Sequence, residues 1–246
     1  MSHTILITGA GGGIGSALAA KLEGQGWQVA RVSRDAERLP EGPGSIVADV
    51  SSEAGAAAAV AAASEWFGAP PHALAHCAGS TLLAPVARTS EAQYRAVLAA
   101  NLDSAFFISK AWVAAKLGAK TPGTALFFSS VVAGIGVANH AAIAAAKAGV
   151  EALARSMAAD HSAVGLRFNV IAPGLVRSPL TERMVSSEAA TKGVAAQYPL
   201  GRFGELDDAV NAAAFLLGDD SGWINGQVLA LDGGFQAVRP MVRPSA

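Results

Sequence analysis

Thr4-Ile5-Leu6-Ile7-Thr8-Gly9-Ala10-Gly11-Gly12-Gly13-Ile14-Gly15 is a short β-rich run that breaks into a glycine turn, and Ser16 to Glu23 follows with helical periodicity. Strand, glycine turn and helix in that order give a Gly-rich motif its meaning. The glycines let the backbone turn tightly and let a pyrophosphate approach the amide groups at the positive end of the next helix. The stretch therefore predicts a nucleotide-binding βα unit that opens an α/β sheet.

Outward from that unit, Gln28 to Ser33 reads as a second strand, and its end falls where a dinucleotide fold places the residue that reads the adenosine ribose. An acidic side chain there holds a 2′-hydroxyl, whereas a basic one accommodates a 2′-phosphate. This strand ends Ser33-Arg34, with Asp35 one place later. Arg34 can make charge-assisted contacts to phosphate and stack on adenine, so NADP(H) is favoured and NAD(H) is the alternative. A plain surface arginine is the competing reading.

The remainder of the 246 residues alternates apolar runs with helical stretches, and 52% of them are hydrophobic, enough to bury a substantial core. No linker or fixed-period repeat divides residues 1–246, so one domain is expected. The Ala-rich run Ala54 to Ala63 reads as helix. A net charge of -1 without a basic stripe argues against nucleic acid as a partner. One cysteine, Cys77, excludes an intrachain disulfide and a multi-cysteine metal site, so no metal is expected. No uninterrupted apolar run reaches the roughly 18 to 20 residues that span a bilayer. Met1-Ser2-His3 leads straight into the first strand without a signal-peptide pattern, so a cytoplasmic location is expected.

Along nearly its whole length the chain resembles the short-chain dehydrogenase/reductase family. Thr8 to Gly15 reads as the TGxxxGxG signature, and Asp49-Val50 resembles the family's adenine-contacting pair. His76-Cys77-Ala78-Gly79 stands in the place of its NNAG motif, Asn101-Leu102 matches its helix asparagine, and Ser129-Ser130 its strand-end serine. Lys147-Ala148-Gly149 matches the lysine of YxxxK and Pro173-Gly174-Leu175-Val176 the PG motif. Trp223 to Gly226 and Asp232-Gly233-Gly234 resemble the terminal strand. The resemblance implies a Rossmann-type, doubly wound parallel β-sheet flanked by helices in three αβα layers. Cofactor motifs would lie mainly in residues 4–101, and the active-site and substrate region mainly in 126–205.

Residue by residue, it implies cofactor contacts from Gly9, Gly11, Gly12, Gly13, Ile14, Gly15, Ser33, Arg34, Asp49, Val50, Ala78, Gly79, Asn101, Lys147, Pro173, Gly174, Val176 and Ser178. It implies catalytic roles for Ser130, as hydrogen-bond donor to the reacting oxygen, Lys147, as holder of the nicotinamide ribose, and Asn101, as organiser of a water chain. The family's tyrosine would stand thirteen residues after Ser130 and four before Lys147, where this chain has Ile143. An isoleucine moves no proton. General acid–base catalysis is worth roughly 10²- to 10⁴-fold, so turnover would fall while binding survived. His140, one helical turn before Ile143, is the substitute acid to weigh against a histidine that is exposed or merely lines the pocket. Tyr94 lies in an apolar helix, where a core or interface role is expected, and Tyr198 lies just before Pro199. Thr181 to Pro199 reads as loop in the position of the family's substrate lid, with Arg183, Lys192 and Arg202 as scattered solvated charges.

These residues imply an NADP(H)-dependent oxidoreductase acting on a small-molecule carbonyl or secondary alcohol, in the manner of 3-oxoacyl reductases or alcohol dehydrogenases, through a modified active site. The alternative is a catalytically silent nucleotide-binding subunit that stabilises or regulates an active paralogue in a mixed oligomer. A homotetramer, or a heteromer with that paralogue, is the assembly the resemblance implies. Non-redox chemistry on the same scaffold ranks below both, because the cofactor motifs are intact.

Overall fold

The computed structural model describes residues 3–240. Seven strands form one parallel sheet: β1 (Thr4–Thr8), β2 (Gln28–Ser33), β3 (Ser45–Val47), β4 (Ala73–His76), β5 (Gly123–Phe128), β6 (Leu166–Pro173) and β7 (Val228–Leu231), in the spatial order β3-β2-β1-β4-β5-β6-β7. β4 and β5 are buried at every residue. Strands covered on both faces need apolar side chains throughout, which explains why these runs do not alternate.

On one face, α1 (Gly13–Gly24) and α7 (Leu206–Leu217) seal Ile5, Ile7, Leu126 and Ile171 with Leu18, Leu22, Val210 and Leu216. On the other, α2 (Glu53–Phe67), α4 (Ser104–Ala119) and α5 (Ala141–His161) cover Leu6, Leu74, Phe127 and Phe168 with Val60, Ile108, Trp112 and Val150. Trp112 is fully buried, and its indole N–H donates to the Pro71 carbonyl at 3.0 Å, so the one polar atom of that ring has a partner. Ser52 caps α2 by accepting the Gly55 amide at 3.1 Å, and Gly68 ends it in the left-handed conformation at φ 73°. The chain winds outward through β2 and β3 on one side of β1 and through β4 to β7 on the other. The crevice at the carboxyl ends of β1 and β4 is thus the topological switch point, where ligands bind in open α/β sheets.

Between α3 (Glu91–Leu98) and α4 the helix does not stop. Ala99–Asp103 forms a π-helical turn, so α3, this turn and α4 make one rod over Glu91–Ala119. By length and composition alone the rod could cross a bilayer, but Ile108, Trp112 and Val113 are buried in the sheet-covering layer. It is a core helix. Within the segment expected to be loop between Thr181 and Pro199, the structure places α6 (Glu188–Ala195). Ser187 caps it by accepting the Ala190 amide at 3.2 Å, and Lys192 pairs with Glu188 at 2.8 Å across one turn. Mixed composition hid a short helix that is held by a cap and a pair and has no fully buried residue.

Candidate functional site

The glycine turn after β1 is built for close approach. Gly9 has φ 66°, and a Cβ there would lie 2.5 Å from the Ala78 nitrogen, so a side chain would push β1 and β4 apart at the crevice. A Cβ on Gly15 would meet the Gly9 carbonyl oxygen. The cap of α1 is Gly12, which contributes no side-chain hydrogen bond, and the first-turn N–H groups stay available to a ligand. Beside this turn opens a cavity of about 550 Å³, whose walls include Gly9, Gly11, Gly12, Ala78 and Gly79. Gly13 lies instead against Ser178 and Pro179, where a Cβ would come within 3.0 Å of the Ser178 Cβ. Gly13 and Gly15 thus shape the turn without lining the cavity.

The far end of the cavity is set by Ser33, Arg34, Asp35, Arg38, Asp49 and Val50. Asp35 is occupied locally: it accepts the Glu37 amide at 3.1 Å and pairs with Arg38 at 3.1 Å. Arg34, by contrast, makes no ion pair within 4 Å among the described residues. After the hydrogen bonds from Ser51, its charge helps to lower the Asp49 carboxyl, and its guanidinium lies on the cavity wall where an anion could meet it. Asp49 accepts the Ser51 hydroxyl at 2.7 Å and the Ser51 amide at 3.0 Å. Those bonds, from the Ser51 hydroxyl foremost, hold its carboxyl below the usual carboxylate range. Arg38 was not singled out from the sequence. It ends a 3-10 turn, Ala36–Arg38, and its one signal was a position four residues beyond Arg34.

His76 takes over a bracing role. Ser104 donates its hydroxyl to the Ala100 carbonyl at 2.9 Å, so at the 3.1 Å contact with His76 it accepts the Nε2 proton. Nδ1 is then the acceptor for the Thr8 hydroxyl at 2.8 Å. β1, β4 and α4 are tied through one neutral imidazole, whose pKa burial, aided by Lys147, pushes down to about 3. The neighbouring Cys77 lines both this cavity and the next, and burial pushes its thiol up to about 12, so it is an inert wall.

A second cavity, of about 280 Å³, adjoins the first through Cys77 and Gly79, which line both. It brings together Ser130, His140, Ile143, Lys147, Pro173, Gly174, Val176 and Ser178, together with Ile14, all of them sequence-derived candidates except Ile143, whose position the sequence singled out. The two adjacent serines are distinct. Ser129 donates to Glu151 at 2.7 Å and is thereby committed, whereas Ser130 accepts the Val132 amide at 3.4 Å and retains its proton for a ligand. Lys147 donates to the Phe128 carbonyl at 2.8 Å, which leaves ammonium protons facing the cavity, and burial lowers its pKa to about 8. His140 caps α5; its Nδ1 must carry a proton to reach the Ala138 carbonyl at 2.7 Å, which leaves Nε2 of the neutral ring as an acceptor. Ile143 is 4% exposed and packs with Val131, Val132 and Ala146.

Asn101, like Gly13 and Gly15, lines neither cavity. It is fully buried in the π-helical turn, where its amide donates to the Val97 carbonyl at 2.9 Å and the Ser80 hydroxyl at 3.2 Å. Its Oδ1 would lie 2.8 Å from a Cβ on Gly79. It therefore supports the wall at Gly79 from behind. Tyr198, left without a role by its sequence context, is brought into the second cavity by the segment after α6. Tyr94 is 38% exposed on α3, which excludes the core half of its expectation.

A family model described as enoyl-(acyl carrier protein) reductase matches residues 9–236. The (3R)-3-hydroxyacyl-CoA dehydrogenase of Mus musculus is 31% identical to this chain over 95% of it and 96% of the relative. A protein of Xanthobacter autotrophicus named inactive 2-(S)-hydroxypropyl-CoM dehydrogenase 2 is 36% identical over 78% of this chain and 85% of its own. Among solved structures, an oxidoreductase of the short chain dehydrogenase/reductase family from Burkholderia thailandensis superposes with a TM-score of 0.87 at 32% identity, covering 97% of this chain and 94% of its own.

Proposed function

Because this chain belongs to the short-chain dehydrogenase/reductase family, we propose that it is an NADP(H)-dependent oxidoreductase that interconverts a carbonyl and a secondary alcohol through a modified proton-delivery site. The observation that carries this reading is the continuity of the two cavities. Arg34, without an ion-pair partner among the described residues, stands at one end, the glycine turn in the middle, and Ser130 with Lys147 at the other. The fit to a dinucleotide rests on glycines at positions where a Cβ would collide and on the uncapped first turn of α1.

In that assignment the glycine-turn amides and the N-terminus of α1 hold the pyrophosphate, and Arg34 and Arg38 receive the 2′-phosphate. The bound nicotinamide supplies the hydride. Lys147 points its remaining N–H donors at the ribose side of the cavity, next to Gly79. Ser130 donates a hydrogen bond to the carbonyl oxygen, an oxyanion-type contribution that the loss of a phenol does not remove. Ile143 occupies the place of the family's tyrosine, and His140, lining the same cavity, is the group assigned to proton delivery: as the imidazolium it gives up the Nε2 proton while Nδ1–H stays on the Ala138 carbonyl. His140→Ala should then abolish carbonyl reduction while NADPH affinity changes less than about twofold; unaltered turnover would remove His140 from the mechanism.

Two exposed apolar faces support a homotetramer. One carries Phe106 and Leu117 on α4, and the other Phe215, Trp223 and Leu229 around α7 and β7. If each face pairs with its own copy about a twofold axis, the two together close a tetramer. The second reading, a silent nucleotide-binding subunit partnered with an active paralogue, is favoured by one observation, the buried Ile143 beside Ser130 and Lys147. Purified protein incubated with NADPH and a panel of ketones decides between them. Turnover as a homo-oligomer supports the enzyme; cofactor binding without turnover, with a related chain co-purifying, supports the subunit.

A further inference from the structure

We propose that Tyr198 is a substrate-contacting residue whose hydroxyl hydrogen-bonds the oxygen of the carbonyl or alcohol held in the cavity it shares with Ser130, an assignment that rests on the oxidoreductase reading above. The chain has two tyrosines, and only this one reaches the cavity. Its oxygen accepts the Leu175 amide at 2.7 Å, immediately after Pro173-Gly174. That bond fixes the oxygen and uses a lone pair, not the proton. Among the described residues no protein acceptor takes the phenolic proton, so it remains for a ligand.

The phenol is also held in place. Its ring packs on Phe235 with centroids 5.1 Å apart, and the residue is 9% exposed. Gly174 is the reason the ring fits: a Cβ there would stand 2.8 Å from Cε1 of Tyr198 and 3.1 Å from its oxygen. Burial raises the Tyr198 pKa, so at neutral pH the group is a donor rather than a phenolate. The walls around it are largely apolar, with Val131, Val137, Leu180 and Met184 among them. In such a cavity a few placed polar groups set the orientation of a ligand. Ser130 follows β5 and Tyr198 follows α6, so the two donors reach the cavity from separate elements. In this assignment the ligand's oxygen lies between them. A hydroxyl absent at position 143 is thus matched by one supplied from another part of the fold.

The test uses full-length protein saturated with NADP⁺, which permits ketone binding without reduction, and two probes of nearly equal shape, acetophenone and ethylbenzene. Calorimetric titration should show wild type preferring the ketone. Tyr198→Phe should bind it about three- to tenfold more weakly while ethylbenzene affinity stays the same, as expected for one net hydrogen bond. As a readout independent of affinity, uniform 3-fluorotyrosine labelling gives two ¹⁹F resonances, and Tyr94→Phe leaves the one from Tyr198. Acetophenone should shift that resonance and ethylbenzene should not. Equal loss of both probes in Tyr198→Phe would reduce the residue to a wall, and unchanged ketone affinity or an unmoved resonance would overturn the contact. Failure of wild type to bind NADP⁺ at all would instead strike the oxidoreductase reading, and this assignment with it.

Discussion

Arg34→Ala should separate the two nicotinamide dinucleotides. The guanidinium lies on the cavity wall without an ion-pair partner among the described residues, whereas the nearest acid in sequence, Asp35, is held by its own turn and by Arg38. A 2′-phosphate carries about -1.5 to -2 charges at neutral pH. At a contact distance of about 4 Å, each unit-charge pair is worth about 1 kcal/mol in a water-like dielectric. Arg34 is exposed, so the water-like value is the appropriate one. The loss is then about 1.5–2 kcal/mol, or roughly 10- to 30-fold in NADPH affinity. NADH lacks the phosphate and should lose less than about twofold. The assay is calorimetric titration of wild type and variant with each dinucleotide, at low and high salt. Raising the ionic strength shortens the Debye length from roughly 10 Å at 0.1 M towards 3 Å at 1 M, so the wild-type advantage for NADPH should shrink with salt. Equal losses for NADPH and NADH, or a difference indifferent to salt, would refute the assignment of Arg34 to the 2′-phosphate.

Ile143→Tyr should raise ketone turnover about 10²- to 10⁴-fold if Ser130 and Lys147 already stand where a phenol needs them, as read by NADPH consumption; no gain would mean that proton delivery has moved elsewhere. Burial lowers the Lys147 pKa to about 8, so the ammonium is lost as pH rises through that value. NADPH affinity should therefore decline above about pH 8, and Lys147→Met should flatten the profile. The buried Lys147 and His76 act on stability with the same sign in separate pH windows, because both folded pKa values lie below the unfolded ones. In each case the unfolded chain binds more protons, so stability rises with pH between the folded and unfolded values: about 8 to 10.4 for Lys147 and about 3 to 6.5 for His76. His76→Asn should accordingly lose less stability than wild type between pH 6 and 4, measured by urea unfolding; an identical decline would show that His76 does not report that loss.

The parallel sheet and the glycine turn were legible because their signals are local. β1 and β2 fall on the residues that apolar pattern and strand–turn–helix context predict, and the order of motifs implied the layers around them. What escaped depends on distant partners. Arg38 joins the cavity only because Asp35 and Gly11 aim it there. Tyr198 reaches the second cavity because Gly174 leaves room for its ring. The histidine at position 76 read as a departure, and only its contacts with Thr8 and Ser104 reveal a brace. Asn101 was expected among the site residues from the sequence; the structure buries it behind Gly79, as a support for the wall.

The π-helical turn that carries Asn101 also sets a rule about chain length. A π turn holds one residue more than the α-helical geometry on either side requires, and each residue in an α-helix turns the axis by about 100°. The extra residue acts as a phase shift within one rod, letting its first half pack on α5 while its second half packs on α2. Losing a single residue between 99 and 103 would restore regular helix and leave the two halves out of phase with their neighbours. In this stretch the number of residues is therefore constrained together with the identity of Asn101.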